Sequence, residues 1–146
     1  VRERFFGKKS MDYYHSLNNL GNLYVSQFDF INAEKSYIEA GKILEDIGKT
    51  KTAQYAWILN NLGNIYVKMG DFSRSETNLL AALSLKAELF GKSNLDYLST
   101  VQNLTALYLD YSFPDKALVS VSYTHLRAHE TVLDLVCRLL LEKKNK

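Results

Sequence analysis

The sequence contains very little cysteine, proline and tryptophan, with one residue of each among 146. One cysteine cannot form an internal disulfide, so the fold does not depend on an oxidising compartment. One proline and seven glycines argue against a turn-rich β fold and against disorder. No apolar run approaches the roughly 18 residues that a membrane-spanning helix needs, and we therefore expect no membrane partner.

An excess of one charge is also absent. The chain has 18 Lys and Arg against 16 Asp and Glu, a net charge of +2. Nucleic-acid-binding domains usually carry a clear basic excess, so we expect no nucleic-acid partner. The start of the chain is not followed by an apolar segment and does not resemble a secretion signal, which leads us to expect a cytoplasmic location. Because the chain lacks an initial Met, we predict that it begins inside a longer protein.

A 42-residue repeat organises most of the chain. The segment LNNLGNLYVSQFDF begins at Leu17 and returns at Leu59 as LNNLGNIYVKMGDF, with 10 of 14 residues identical. A third version, VQNLTALYLDYSFP, begins at Val101. This frame predicts two complete units, at residues 11–52 and 53–94, and a truncated third unit at residues 95–120. Residues 1–10 are predicted to be the end of a preceding repeat, and residues 121–146 form a tail.

Each unit has the pattern of two amphipathic helices. In the first unit Leu17, Leu20 and Tyr24 follow the spacing of one helix face. Asp29 is suited to cap the start of a helix, and Gly48 is suited to end one. The full pattern predicts helices over residues 11–27, 30–47, 53–69, 72–90, 95–111 and from 114 onward.

This combination of residues resembles the tetratricopeptide repeat. The family's small residue in the first helix matches Gly21 and Gly63, and its packing aromatic matches Tyr24 and Tyr66. The 42-residue period is similar to the subclass found in kinesin light chains. The resemblance implies an all-α fold, a right-handed α-solenoid of about three antiparallel helix pairs. It also implies a protein or peptide partner. No Gly-rich phosphate loop, serine nucleophile elbow or carboxylate pair stands out in the residues, so we expect neither enzyme activity nor a cofactor, and no small-molecule substrate is evident.

The tail does not continue the repeat. Its text, VSYTHLRAHETVLDLVCRLLLEKKNK, resembles a translated sequencing adapter, and we predict that residues 121–146 are not native sequence. The alternative is a capping helix, because Val132 and Val136 share a helix face with further apolar residues. His125 and His129 have the i, i+4 spacing of zinc ligands. Inside adapter text that spacing carries no function, and we predict no metal site.

Asparagine is unusually frequent in the predicted first helices. Asn has a poor helix propensity, so its recurrence in the middle of helices needs a reason. A side-chain amide both donates and accepts hydrogen bonds and can pair with the backbone of an extended peptide. In related repeats the first helices line the concave face. The candidate peptide-binding residues are therefore Asn19, Asn22, Asn61, Asn64, Asn103 and Trp57.

Alternatives stay open both for these residues and for the whole protein. The amides of Asn19, Asn61 and Asn103 either bind a peptide or hydrogen-bond between repeats and set the stacking angle. Trp57 either contacts a ligand or packs at the edge of the core, and for Asn18 we expect the structural role. The first hypothesis for the protein is a scaffold that binds an extended peptide on its concave face. The alternative is the regulatory portion of a larger bacterial signalling enzyme such as a histidine kinase.

Overall fold

Residues 10–111 are described by the computed structural model, and throughout that range the structure consists of helices joined by short turns. In this range the helices are α1 (Met11–Ser26), α2 (Phe30–Asp46), α3 (Ala53–Lys68), α4 (Phe72–Phe90) and α5 (Leu95–Asp110). Their predicted first residues are confirmed. Four of them end one residue earlier than predicted because that residue is the C-cap. The helix predicted from residue 114 and the whole tail lie outside the described residues.

Polar side chains begin the helices where the sequence places them. Ser10 and Thr52 precede α1 and α3, and each side chain accepts a hydrogen bond from the backbone N–H three residues on. Asp29 does the same for α2, with its carboxylate 3.2 Å from the backbone nitrogen of Asn32. Such caps satisfy N–H groups that have no partner within the helix. The predicted cap at Asp29 is thereby confirmed.

The turn inside each helix pair contains a residue in the left-handed conformation. Between α3 and α4 that residue is Gly70, at φ 77°. The equivalent residue between α1 and α2, 42 positions earlier, is Phe28, at φ 60°. Glycine adopts this conformation without steric cost, whereas a residue with a Cβ adopts it at a cost in free energy. The first turn is therefore more strained than the second, although both have the same shape.

One hydrophobic core joins α1, α2 and α3. Its buried members are Tyr14 and Leu17 from α1, Ala33, Tyr37, Ala40, Ile43 and Leu44 from α2, and Ile58, Leu62, Ile65 and Tyr66 from α3. The third helix thus shares a core with the pair that precedes it. Burial of this kind is what holds consecutive units of a repeat protein together, because each unit contacts its neighbours.

Two glycines allow the helices of a pair to approach closely. A Cβ added to Gly21 would lie 2.5 Å from a ring carbon of Tyr37, and one added to Gly63 would lie 2.5 Å from Cγ of Leu79. Neither distance is sterically possible without movement of the neighbouring side chain. The close helix contact predicted at these small residues is confirmed.

The chain divides into two compact units. Among the described residues, the first unit covers 10–85 and contains α1, α2, α3 and most of α4. The second covers 86–111 and contains the last turn of α4 and all of α5. Tyr97, Val101, Leu104 and Leu107 are buried in α5.

Candidate functional site

The candidate residues occupy one face of each first helix. Residues spaced i, i+4 and i+7 lie along the same side of a helix. On α1 this side is opposite the buried positions of Leu17 and Gly21. The corresponding residues of the three first helices are His15, Asn19 and Asn22 on α1, Trp57, Asn61 and Asn64 on α3, and Ser99, Asn103 and Ala106 on α5. On α1 the pattern leaves these side chains away from the buried positions, whereas on α3 the buried residues Ile58 and Ile65 lie beside Asn61, at i−3 and i+4, so this side of the helix borders the core.

Exposure differs along this face. Asn19 and Asn22 are exposed, whereas Asn61 and Asn64 are half-buried. The indole of Trp57, one turn before Asn61, is 43% exposed. The structure therefore brings an exposed aromatic surface and two partly shielded amides together on one side of α3. Asn103 is half-buried on α5, in the second compact unit.

Asn22 has a hydrogen-bond partner within its own helix pair. The hydroxyl of Tyr37 on α2 donates to Oδ1 of Asn22, with an oxygen–oxygen distance of 2.6 Å. Burial raises the pKa of Tyr37 above its ordinary value, so the hydroxyl remains protonated and able to donate. The ring that makes this bond is the one that packs on Gly21. The amide oxygen of Asn22 is thus already engaged in the fold.

Asn64 has a different environment, although it occupies the same place in the repeat. The residue equivalent to Tyr37 is Leu79, which packs on Gly63 and has no hydrogen-bonding atom in its side chain. The bond that engages Asn22 therefore has no counterpart in the second pair. Sequence reasoning treated the two asparagines alike and missed Tyr37. The signal was present in the aligned repeats, where tyrosine and leucine stand at the same position.

Asn18 has a buried side-chain oxygen, Oδ1, for which the described residues provide no hydrogen-bond donor. We expected Asn18 to form a hydrogen bond between repeats, and among the described residues this oxygen makes none. A buried amide oxygen without a donor costs free energy. The structural role of Asn18 stays a prediction.

A charged cluster fixes the second pair against the first. Arg74 of α4 donates to Asp71 at 2.6 Å and to Glu34 of α2 at 3.2 Å. Its guanidinium also lies 4.7 Å from the ring centroid of Tyr66 on α3. Burial, followed by a hydrogen bond to Glu34 and the charge of Glu34, raises the pKa of Tyr66 to about 12. These contacts connect α2, α3 and α4, although the Arg74 side chain is 57% exposed and ion pairs of this kind add little stability.

The described residues offer no other site with clear chemistry. Within residues 10–111 there is no group of three or more His, Cys, Asp or Glu side chains that could hold a metal ion. No helix in this range is long and apolar enough to span a membrane. His125, His129 and the rest of the tail lie outside the described residues, so the adapter interpretation and its alternative stay predictions.

Comparison with known proteins identifies similar repeats. The family model described as tetratricopeptide repeat matches residues 12–86, just over half of the chain. Among solved structures, the chain is similar to the crystal structure of BtubC (BKLC) from P. vanneervenii, with a TM-score of 0.75 and 26% identity. The match covers 81% of this chain and 46% of that one, so the chain spans less than half of that protein. A comparison with curated proteins finds no match.

Proposed function

The chain belongs to the tetratricopeptide repeat family, in its kinesin-light-chain-like subclass, and from this premise we propose that it binds an extended peptide of a partner protein. The family and the all-α solenoid fold class are those predicted from the sequence. Repeats of this family act as protein-interaction scaffolds. The more specific part of the proposal concerns the surface, which we assign to the face of α3 that carries Trp57 and to its equivalent on α1.

The observation that carries this proposal is the arrangement of Trp57, Asn61 and Asn64. An indole that is 43% exposed offers a large contact surface with little conformational freedom to lose. The two amides follow on the same side of the helix, one and two turns later. An extended peptide has one N–H and one C=O per residue, and each amide can pair with both kinds of group. The surface therefore combines an apolar anchor with backbone recognition.

The half-burial of Asn61 and Asn64 supports a role in binding. A partly shielded amide has fewer accessible rotamers than an exposed one, so less conformational entropy is lost when a ligand orders it. Asn19 contributes an equivalent contact from α1 in this proposal, and the role of Asn103, which lies in the second compact unit, stays a prediction from the sequence. Asn22 contributes less, because its amide oxygen already accepts from Tyr37. We assign no catalytic step to any of these residues.

Selection of peptides from a random displayed library, followed by affinity measurement, tests the proposal. Trp57 is the only tryptophan, so its fluorescence reports directly on this surface. A selected peptide should change the emission of Trp57 as it binds. Asn61→Ala should weaken binding by about 1–3 kcal/mol, roughly 5- to 150-fold, because a ligand group then lacks its partner. The melting temperature should change little, since water replaces that partner in the free protein.

Asn22→Ala is the control, since it removes the same residue type from α1, at the position that corresponds to Asn64. It should lower stability and leave affinity largely unchanged. Loss of stability in Asn61→Ala with unchanged affinity would instead assign the asparagines to packing between repeats. Peptides that bind without altering Trp57 emission would place the ligand elsewhere.

The alternative, a regulatory portion of a larger signalling enzyme, concerns the rest of the protein. It is decided by sequencing the locus from independent DNA on both sides of this chain. An adjoining kinase domain would support it. The same experiment tests the tail, because recovery of VSYTHLRAHET at that locus would overturn the adapter interpretation.

A further inference from the structure

A lysine lies in the interior of the second compact unit. Lys86, in the last turns of α4, is only 1% exposed. Its Nζ donates to Oγ1 of Thr100 on α5 at 2.8 Å and to the backbone carbonyl of Asp96 at 3.3 Å. The same nitrogen lies 3.5 Å from the Asp96 carboxylate, within ion-pair distance. We refer to Lys86, Asp96 and Thr100 as the polar cluster.

The equivalent residues of the preceding repeat are uncharged. Leu44 and Ile58 stand 42 positions before Lys86 and Thr100, and they are 0% and 1% exposed in one hydrophobic core. Gln54 stands 42 positions before Asp96. We refer to Leu44, Gln54 and Ile58 as the uncharged set. The same place in the fold is thus occupied by a buried amine in one unit and by a buried leucine in the other.

The repeat frame supplies a third set in the sequence. Arg2, Asp12 and Ser16 stand 42 positions before Leu44, Gln54 and Ile58. In the first and third sets a basic residue, Arg2 or Lys86, occurs together with an aspartate and a hydroxyl residue. In the second set Leu44 occurs together with a glutamine and an isoleucine. The three positions change together, which indicates that they are matched to one another.

The physical reason for this matching is the cost of burying an amine. Burial lowers the pKa of Lys86, and the nearby Asp96 opposes that shift. A buried ammonium is tolerated only when hydrogen-bond acceptors surround it, and removing them is strongly destabilising. Apolar packing is non-directional and accepts many partners of suitable size. A helix bearing Gln and Ile could therefore pack on Leu44 but would deprive Lys86 of the Thr100 hydroxyl and of the Asp96 carboxylate, its only nearby negative charge among the described residues.

We propose that the polar cluster determines which first helix packs against the end of α4, and so specifies the order of otherwise similar units. The first helices of this chain present nearly identical apolar stripes, so burial alone discriminates weakly between them. A helix of the α3 type, placed against α4, meets Lys86 with glutamine and isoleucine. A helix of the α5 type supplies the aspartate and the hydroxyl. The polar cluster thereby disfavours α3 at the place beside Lys86 that α5 normally occupies. This holds for the α3 of the same chain and for the α3 of a second copy.

Transplanting the cluster tests this proposal on the full chain. Leu44→Lys alone places an amine in the uncharged set, beside Gln54 and Ile58 and without a carboxylate. We expect the melting temperature to fall by about 10 °C or more. Adding Gln54→Asp and Ile58→Thr should recover more than half of that loss. In the reverse direction, Asp96→Gln with Thr100→Ile should lower the melting temperature. Adding Lys86→Leu should restore it to the wild-type value or above.

The reverse transplant also provides a readout of order that stability alone does not give. With Lys86→Leu, Asp96→Gln and Thr100→Ile, positions 86, 96 and 100 carry the same residues as the uncharged set. Neither place then contains a buried charge, so exchange of first helices between copies is no longer disfavoured. Refolding at high concentration should then give a larger fraction of species with doubled mass than wild type, measured by size-exclusion chromatography with light scattering. An unchanged fraction would overturn the ordering role. A melting temperature that is no higher in the matched triple variants than in the mismatched ones would overturn the matching itself.

Discussion

The helix pair α1–α2 and the helix pair α3–α4 share a backbone plan but stabilise it with different side chains. Both place a glycine of the first helix against a large side chain of the second, Tyr37 in one and Leu79 in the other. The tyrosine adds a hydrogen bond to Asn22, which the leucine cannot make to Asn64. The comparison teaches that the close backbone approach is the common requirement, whereas the polar contacts vary between units.

Other equivalent positions show the same division. Ser75 of α4 donates a hydrogen bond to the backbone carbonyl of Gly63 at 2.8 Å, and its counterpart in α2 is Ala33. Both side chains are fully buried. The turn between the helices has glycine in one pair and Phe28 in the other. Substitutions at these positions measure how much each difference contributes to stability.

The largest effect is expected where the two pairs agree. Gly63→Leu should destabilise the protein by about 3 kcal/mol, because even its Cβ would lie 2.5 Å from Leu79 Cγ and 3.4 Å from the Leu79 backbone nitrogen. Thermal and urea unfolding measure this loss. Gly41→Ala is the control, since its Cβ would meet Ile58 at an ordinary 3.5 Å. That variant should be as stable as wild type or more stable, because alanine favours helix.

The next effect separates Asn22 from Asn64. Asn22→Ala removes the acceptor of a hydroxyl whose residue is 2% exposed, and we expect a loss of about 1–3 kcal/mol. Asn64→Ala should change stability by less than about 0.5 kcal/mol, since no equivalent bond is lost. Urea unfolding of both variants gives the comparison. Equal losses would show that the tyrosine bond contributes nothing measurable.

A smaller effect of opposite sign is expected at the turn. Phe28→Gly should stabilise the protein by up to about 1 kcal/mol, because glycine removes the cost of the left-handed conformation. The ring of Phe28 is 81% exposed, and the variant loses its edge contact with Phe30. Gly70→Ala should destabilise the second turn. Differential scanning calorimetry of the two variants tests both signs, and a destabilised Phe28→Gly would mean that the ring contact outweighs the strain.

The smallest effect is expected at Ser75. Ser75→Ala should change stability by less than about 1 kcal/mol, because the lost bond joins a hydroxyl to a carbonyl on a neighbouring helix and alanine suits a helix better than serine. Alanine already fills the equivalent place in α2 without a visible gap, since Ala33 is fully buried. A loss above 2 kcal/mol would show that the second pair depends on this bond in a way the first does not.

The helices, their caps and the glycine contacts could be predicted because they are encoded locally. Periodicity gave the start of every described helix, and the recurrence of Gly21 and Gly63 indicated where two helices approach. Burial on one side of a helix follows from residue spacing alone, without knowledge of the partner. The candidate face on α3 was predicted by the same argument, and its role in binding stays a proposal.

The pairing of particular side chains required the tertiary structure. Tyr37 and Asn22 are 15 residues apart, and nothing in their local sequences distinguishes that contact from exposure. Lys86 gives the clearest case, because lysine is ordinarily an exposed residue and Thr100 is 14 residues away on another helix. By itself the sequence determined the repeat and the helices, and most of the buried positions, although Leu20 of the predicted stripe on α1 is 39% exposed. Only the tertiary structure decided which polar groups are satisfied within the protein, because the free energy of a buried polar group depends on the acceptors that other helices bring to it.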